Sequence, residues 1–95
     1  MLLVANQLMS MQRYPQAASA YEKFLKAYPS DSDNVQVKLL LGIIYAKYLK
    51  QYQAAQRYLS DCISRLTDPQ QMEQAREWLA TAASFLGHGA EPSTS

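Results

Sequence analysis

Tyr14-Pro-Gln-Ala-Ala-Ser-Ala-Tyr-Glu-Lys-Phe-Leu-Lys-Ala-Tyr28 and Tyr52-Gln-Ala-Ala-Gln-Arg-Tyr-Leu-Ser-Asp-Cys-Ile-Ser-Arg-Leu66 decide the fold, because they are two copies of one pattern. Tyr14, Ala17, Tyr21, Leu25 and Tyr28 correspond to Tyr52, Ala55, Leu59, Ile63 and Leu66, each displaced by 38 residues. Steps of three and four lie along one side of an α-helix, so each copy reads as an amphipathic helix. Ahead of each copy lies a further apolar stretch, Val4-Ala5 with Leu8 and then Leu41-Gly42 with Tyr45. The chain therefore holds two helix pairs, and a duplicated pair is the mark of a helical repeat.

Working outward from the copies, the spacing predicts five helices and no strand. Residues 2 to 12 place Leu2, Ala5, Leu8 and Met9 on one stripe. Pro15 suits the first turn of the second helix, which runs to about Tyr28, because its missing N–H would be unpaired there anyway. Glu22 and Lys26 are spaced as a favourable i,i+4 pair. Pro29 to Asp33 is a run of turn formers, and Asp33 reads as an N-cap with Gln36 completing a capping box. The third helix, about 34 to 49, is the most apolar: Val35, Val37, Leu39, Leu40, Leu41, Ile43, Ile44 and Tyr45 fall on nearly every side. Such a helix is buried all round or has a partner. The fourth runs from about Tyr52 to Leu66. Asp68, Pro69 and Gln71 then start the fifth, about 69 to 86, with Gly87 placed as its C-cap.

Leu41-Gly42-x2-Tyr45, followed by Ala55 and Leu59, resembles the tetratricopeptide repeat, whose signature W-x2-L-G-x2-Y…A-x3-F…P spans about 34 residues. The first copy keeps Ala17-x3-Tyr21 and Pro29, with Val4-Ala5-x2-Leu8 standing for the Leu-Gly-x2-Tyr element. Tyr21-Glu-Lys-Phe-Leu-Lys-Ala-Tyr-Pro-Ser30 is similar to the second helix of bacterial members. There are departures. The first helices are displaced by 37 residues and the second by 38. The excess is assigned to about three residues in the Ser30–Asn34 loop and one in the turn near Lys50. Met1 and Lys38 occupy the tryptophan position, and Cys62 stands where the first copy has Phe24.

The resemblance implies an all-α fold of antiparallel helix pairs stacked as a short right-handed superhelix. Residues 1–86 form the domain, with repeats at about 1–32 and 34–68 and a terminal helix at 69–86. Residues 87–95 are expected to be a flexible tail. The resemblance also implies a non-enzymatic adaptor or scaffold that binds a peptide or helix in a groove lined by the first helices of each pair. The matching positions are Leu2, Asn6, Met9 and Ser10, then Leu39, Ile43, Ala46 and Lys47. Some relatives hold a C-terminal carboxylate there with a lysine and two asparagines. Of that set only Asn6 is present, and Leu2 and Ile43 replace the others, so an apolar segment is the expected ligand. The expected binding residues are Asn6, Met9, Leu39, Ile43, Lys47 and Tyr48. Leu39 and Ile43 also read as simple core residues.

Five of the seven tyrosines (Tyr14, Tyr21, Tyr28, Tyr45 and Tyr52) sit at repeat positions and are expected to pack. Tyr48 and Tyr58 fall outside that pattern and are expected to be exposed for contact. Lys47, Lys50 and Arg57 near Tyr48 read either as a small basic-aromatic patch or as a solvated face.

Composition narrows the function further. The chain has 95 residues, 48% of them apolar and 18% charged, with a net charge of +1. That size suits one domain, and the charge gives no bulk attraction to nucleic acid or membrane. No segment reaches the roughly 20 apolar residues of a membrane span. Met1 to Ala5 is apolar but short and lacks a basic flank, so no signal peptide is expected. The single Cys62 fits a reducing compartment. A cytoplasmic location is expected, with a periplasmic site or a membrane-anchored parent as the alternative.

No metal, cofactor or hydrolytic triad is expected. His88 has no second histidine to share a metal with, and no glycine-rich phosphate loop exists. A small enzyme would need a convergent polar pocket that the sequence does not place. The first helix shows no N-cap, which reads as a piece of a longer protein or as an end that another element covers. Two repeats are fewer than the usual three. Self-association, or contact with a neighbouring domain, is therefore expected through Leu2, Leu3, Leu40, Ile43 or Ile44. The alternative to an adaptor is a structural C-terminal module of a larger, membrane-anchored bacterial protein.

Overall fold

Short connections between apolar stripes oblige successive helices to fold back on one another. The computed structural model describes residues 2–90, with the backbone alone for 88–90. Five helices follow in order: α1 (Leu2–Ser10), α2 (Tyr14–Ala27), α3 (Asn34–Ile43), α4 (Tyr52–Ile63) and α5 (Pro69–Ala90). A π-helical segment, Ile44–Tyr48, continues α3. No strand occurs among the described residues, so the fold is all-α. Helix α1 approaches only α2 closely. Helix α2 packs on α3 and the π segment, and α4 lies between α3 and α5.

The two pairs repeat in backbone as well as in sequence. Gln12 and Lys50, 38 apart, both take the left-handed conformation, with φ of 60° and 57°. Ala17 N–H donates to Arg13 O at 2.9 Å, and Ala55 N–H donates to Gln51 O at 3.1 Å. One difference separates the turns. Arg13 N–H reaches back to Leu8 O, whereas Gln51 N–H reaches Tyr45 O, one residue further. Leu49 N–H bonds Ile44 O at 3.0 Å, the wide closure of a π turn. The extra residue of the second copy is therefore absorbed inside the helix and not in the loop near Lys50. Widening one turn preserves the connection and leaves the following helix in register.

Burial repeats with the same period. Ala17 and Ala55 are inaccessible, Tyr21 and Leu59 are fully covered, and Phe24 and Cys62 are both buried. One core cluster joins Ala5, Ala17, Tyr21 and Phe24 to Val37, Leu41, Ile44 and Tyr45. A second joins Leu39 to Leu59, Cys62, Leu66 and Ala75, and Trp78 packs against both. Gly42 lets α3 approach α4: a Cβ built there would lie 2.5 Å from Leu59 Cδ2 and closer still to Cγ.

Several expected details are corrected. The Asp33 side chain makes no capping bond to α3; Asp31 Oδ1 instead accepts from Asp33 N–H at 2.8 Å, tightening the turn. Gln36, meant for the capping box, exchanges two 2.8 Å amide hydrogen bonds with Gln71, tying α3 to α5. Asp68 does cap its helix, with Oδ1 accepting from Gln70 N–H at 2.9 Å. Helix α5 runs through Gly87 to Ala90, so Gly87 is no C-cap. With no tertiary feature forcing a left-handed turn there, a glycine costs only about 1 kcal/mol and the helix passes through it. The rest of the expected tail, residues 91–95, lies outside the described residues, as does the His88 side chain.

Candidate binding surface

The six residues expected to bind a partner divide between two environments. Asn6 is exposed on α1 and accepts the Tyr21 hydroxyl at Oδ1, and Met9 is half-buried against the first core cluster. Leu39 is only 4% exposed and belongs to the second core cluster, with Ile43 packed beside it. Leu39 thus has almost no surface to offer, because α4 and α5 cover the side of α3 from which it projects. Lys47 and Tyr48 lie together at the end of the π segment, with the ammonium 5.2 Å from the ring centroid. The structure so joins Lys47 to Tyr48, and Leu39 to Ile43. It gives α1, which carries Asn6 and Met9, no close approach to α3. Ile44, expected in a dimer contact, is fully buried.

Tyr48 and Tyr58 are joints between helices. Tyr48 stacks on Tyr14 with ring centroids 3.7 Å apart and planes at 7°. The same arrangement returns at the next junction, where Tyr52 stacks on Phe85 at 4.4 Å and 1°. Tyr52 is Tyr14 displaced by 38, and Phe85 is Tyr48 displaced by 37. The start of α2 is therefore clasped by the end of the π segment, and the start of α4 by the later part of α5. The sequence reading missed this because Phe85 lies outside the duplicated segment. Its 37-residue offset from Tyr48 was the available signal.

Between α2 and the second pair sits a polar knot. Tyr45 and Tyr58, with rings parallel and 5.9 Å apart, both donate their hydroxyls to Glu22 Oε2 at 2.8 Å. Glu22 therefore serves these tyrosines, and the expected pair with Lys26 is not formed. Among the described residues the ion pair is Lys38 with Asp61, at 3.8 Å on the surface. Burial first, then the hydrogen bond to Glu22 and its negative charge, pushes Tyr58 up to about 12. The same causes raise Tyr45 further. Both hydroxyls hold their protons tightly, so the knot is a packing device with no proton to give near neutral pH.

Outside these joints, one face of the first pair is uncovered. Leu3 and Val4 are 71% and 56% exposed on α1. Beside them a groove of about 420 Å³ runs between α1 and α2, lined by Val4, Leu8, Gln16, Ser19, Ala20 and Lys23. It is predominantly apolar, in keeping with helix or peptide docking.

Cys62 is buried, donates its thiol to Leu59 O at 3.5 Å, and is pushed up to about 11 by burial. A thiol so held is a small core group. Among the described residues no group of three or more histidine, cysteine, aspartate or glutamate side chains is placed to hold a metal ion. Nor is any described helix long and apolar enough to cross a membrane. The chain matches no family model, no curated protein and no solved structure.

Proposed function

We propose that this chain is a non-enzymatic protein-binding module of the tetratricopeptide type, an adaptor that takes an apolar peptide or helix along the first helices of its pairs. The observation that supports the reading most is the recurrence of one junction, Tyr14 on Tyr48 and Tyr52 on Phe85, at a fixed period. A chain that spends its aromatics on repeating a joint is building an extended surface, which is the use to which stacked helix pairs are put. Lys47 and the open half of Tyr48, which is 37% exposed, supply the contact on the second pair. Asn6 and Met9 supply it on the first. Affinity capture with quantified partners tests this, comparing the wild type with Lys47→Glu/Tyr48→Ala and with a control, Arg76→Glu on α5. The reading requires a set of partners lost in the double variant and kept in the control. Equal recovery in all three would remove Lys47 and Tyr48 from the site. A second reading, a structural module docked in a larger assembly, is favoured by the uncovered face of α1.

A further inference from the structure

We infer that the groove between α1 and α2 seats an amphipathic helix of a partner protein, held as α2 is held by the second pair. Under the repeat, Val4 and Leu8 correspond to Leu41 and Tyr45, displaced by 37. Gln16 and Ala20 correspond to Ala54 and Tyr58, displaced by 38. In the second pair the first-helix side of that surface is covered and the second-helix side is half-covered. Leu41 is inaccessible, Tyr45 is 9% exposed, and Ala54 and Tyr58 pack into the cluster that contains Tyr21 and Phe24.

The cover is α2. Its residues Tyr14, Ala18, Glu22 and Leu25, spaced by four, four and three, form one stripe. Tyr14 stacks on Tyr48, Glu22 takes both tyrosine hydroxyls, Ala18 is buried and Leu25 joins the core. The groove on the first pair is the same seat without its helix.

A second copy of this chain is a poor source for that helix, because the stripe of its own α2 is already engaged, with Ala18 at 2% exposure and Glu22 holding both tyrosine hydroxyls. The seat also differs from its counterpart in chemistry. Leu8 replaces Tyr45 and Ala20 replaces Tyr58, so the two hydroxyls that hold Glu22 are absent and the floor is recessed. The occupant therefore carries a bulky apolar residue where α2 carries glutamate. Lys23, exposed at the rim where the second pair has Asp61, favours a carboxylate on the occupant's flank. This seat lies outside the groove proposed for the first helices, so the two can fail separately.

The probe is a peptide of residues 14–28 carrying Glu22→Leu and, to face Lys23, Lys26→Glu, stapled between its positions 23 and 27 to hold a helix, because a free helix of this length is marginal in water. It is titrated into isotope-labelled whole chain and followed by amide shifts and by fluorescence anisotropy. The expected result is shifts at Val4, Leu8, Ser19, Ala20 and Lys23. Binding should be about tenfold or more tighter than for the same peptide with glutamate retained. It should weaken about tenfold or more in the Val4→Asp protein, which keeps its helical circular dichroism because Val4 is exposed. No binding overturns the inference. Shifts centred on Ile44 and Tyr45 overturn it by showing that the peptide displaces α2. Shifts confined to Asn6, Met9 and Lys47 overturn it while supporting the proposed function. A dimer of the chain alone, abolished by Val4→Asp, overturns it in favour of a second copy.

Discussion

Gly42→Ala puts the close approach of α3 to α4 to a test. In an exposed helix this change stabilises by about 1 kcal/mol, because alanine has the better helix propensity. Here the new Cβ would fall 2.5 Å from Leu59 Cδ2, nearer still to Cγ, and 3.3 Å from Cδ1. Real Cβ atoms do not sit at such distances, so α3 or Leu59 must shift. Leu59 is fully buried within the second core cluster, so its movement must displace other core side chains. Overpacking of this kind costs about 1–3 kcal/mol. A clash involving the branch carbon and a methyl belongs in the upper half of that range. After subtracting the propensity gain, the net loss is about 1–2 kcal/mol. For a domain of this size each kcal/mol lowers Tm by about 4–8 °C. Urea denaturation and thermal melts followed by circular dichroism measure it.

A double-mutant cycle sharpens the result. Leu59→Ala alone should cost about 2–5 kcal/mol by leaving a cavity. In Gly42→Ala/Leu59→Ala the clash of about 2–3 kcal/mol is gone while the propensity gain remains, so the double variant should lose about 2–3 kcal/mol less than the two singles together. A Gly42→Ala protein with raised Tm would refute the reasoning. So would strict additivity with Leu59→Ala, since either result means the helices are not apposed at these residues.

Three further outcomes are expected. Tyr58 and Tyr45 bind their protons more tightly folded than unfolded, so their contribution to stability is complete below about pH 10 and is lost above it, for Tyr58 as pH rises through about 12 and for Tyr45 higher still. Urea midpoints taken between neutral pH and pH 11 should therefore fall above pH 10 in the wild type, and fall less in Tyr45→Phe/Tyr58→Phe; parallel curves would count against the Glu22 knot. Helix α1, anchored by α2 alone, should show the fastest amide exchange of the five helices, and equal protection in α1 and α3 would contradict that arrangement. Asp68→Ala should cost about 1 kcal/mol by removing the acceptor for Gln70 N–H, whereas Asp33→Ala, with no capping bond to lose, should cost about 0.5 kcal/mol or less, as read from urea midpoints; the reverse order would overturn both cap assignments.

Helix number and order were legible in the chain because apolar periodicity and breakers such as Pro29, Pro69 and the Ser30–Asp33 run are local signals. The buried partners were legible too: Ala17 with Ala55, and Tyr21 with Leu59, recur because each must fill the same space in each unit. Caps were only half readable. Asp68 with Pro69 was a sufficient signal, but in the Asp31–Asp33 run it is Asp31 that makes the side-chain bond, to Asp33 N–H, and Asp33 makes no capping bond. The surroundings of the expected binding residues were not legible. Ile43 and Leu39 look the same in sequence whether a groove or α5 lies in front of them, and only the position of α5 decides between these.

The residues alone determined that this protein is all-α and duplicated, because a period of three and four and an offset of 38 need no tertiary information. Tertiary structure decided where the odd residue goes. The choice between a longer loop and a π turn depends on whether the second helix can keep its seat on the first, and that energy belongs to packing. It also decided the roles of the tyrosines. Tyr48 and Tyr58 became joints because Tyr14 and Glu22, 34 and 36 residues away, were brought against them. Such distant pairings leave no periodic trace. For the same reason the uncovered seat on α1 and α2 shows only in three dimensions, where its covered counterpart on the second pair reveals the shape of what it takes.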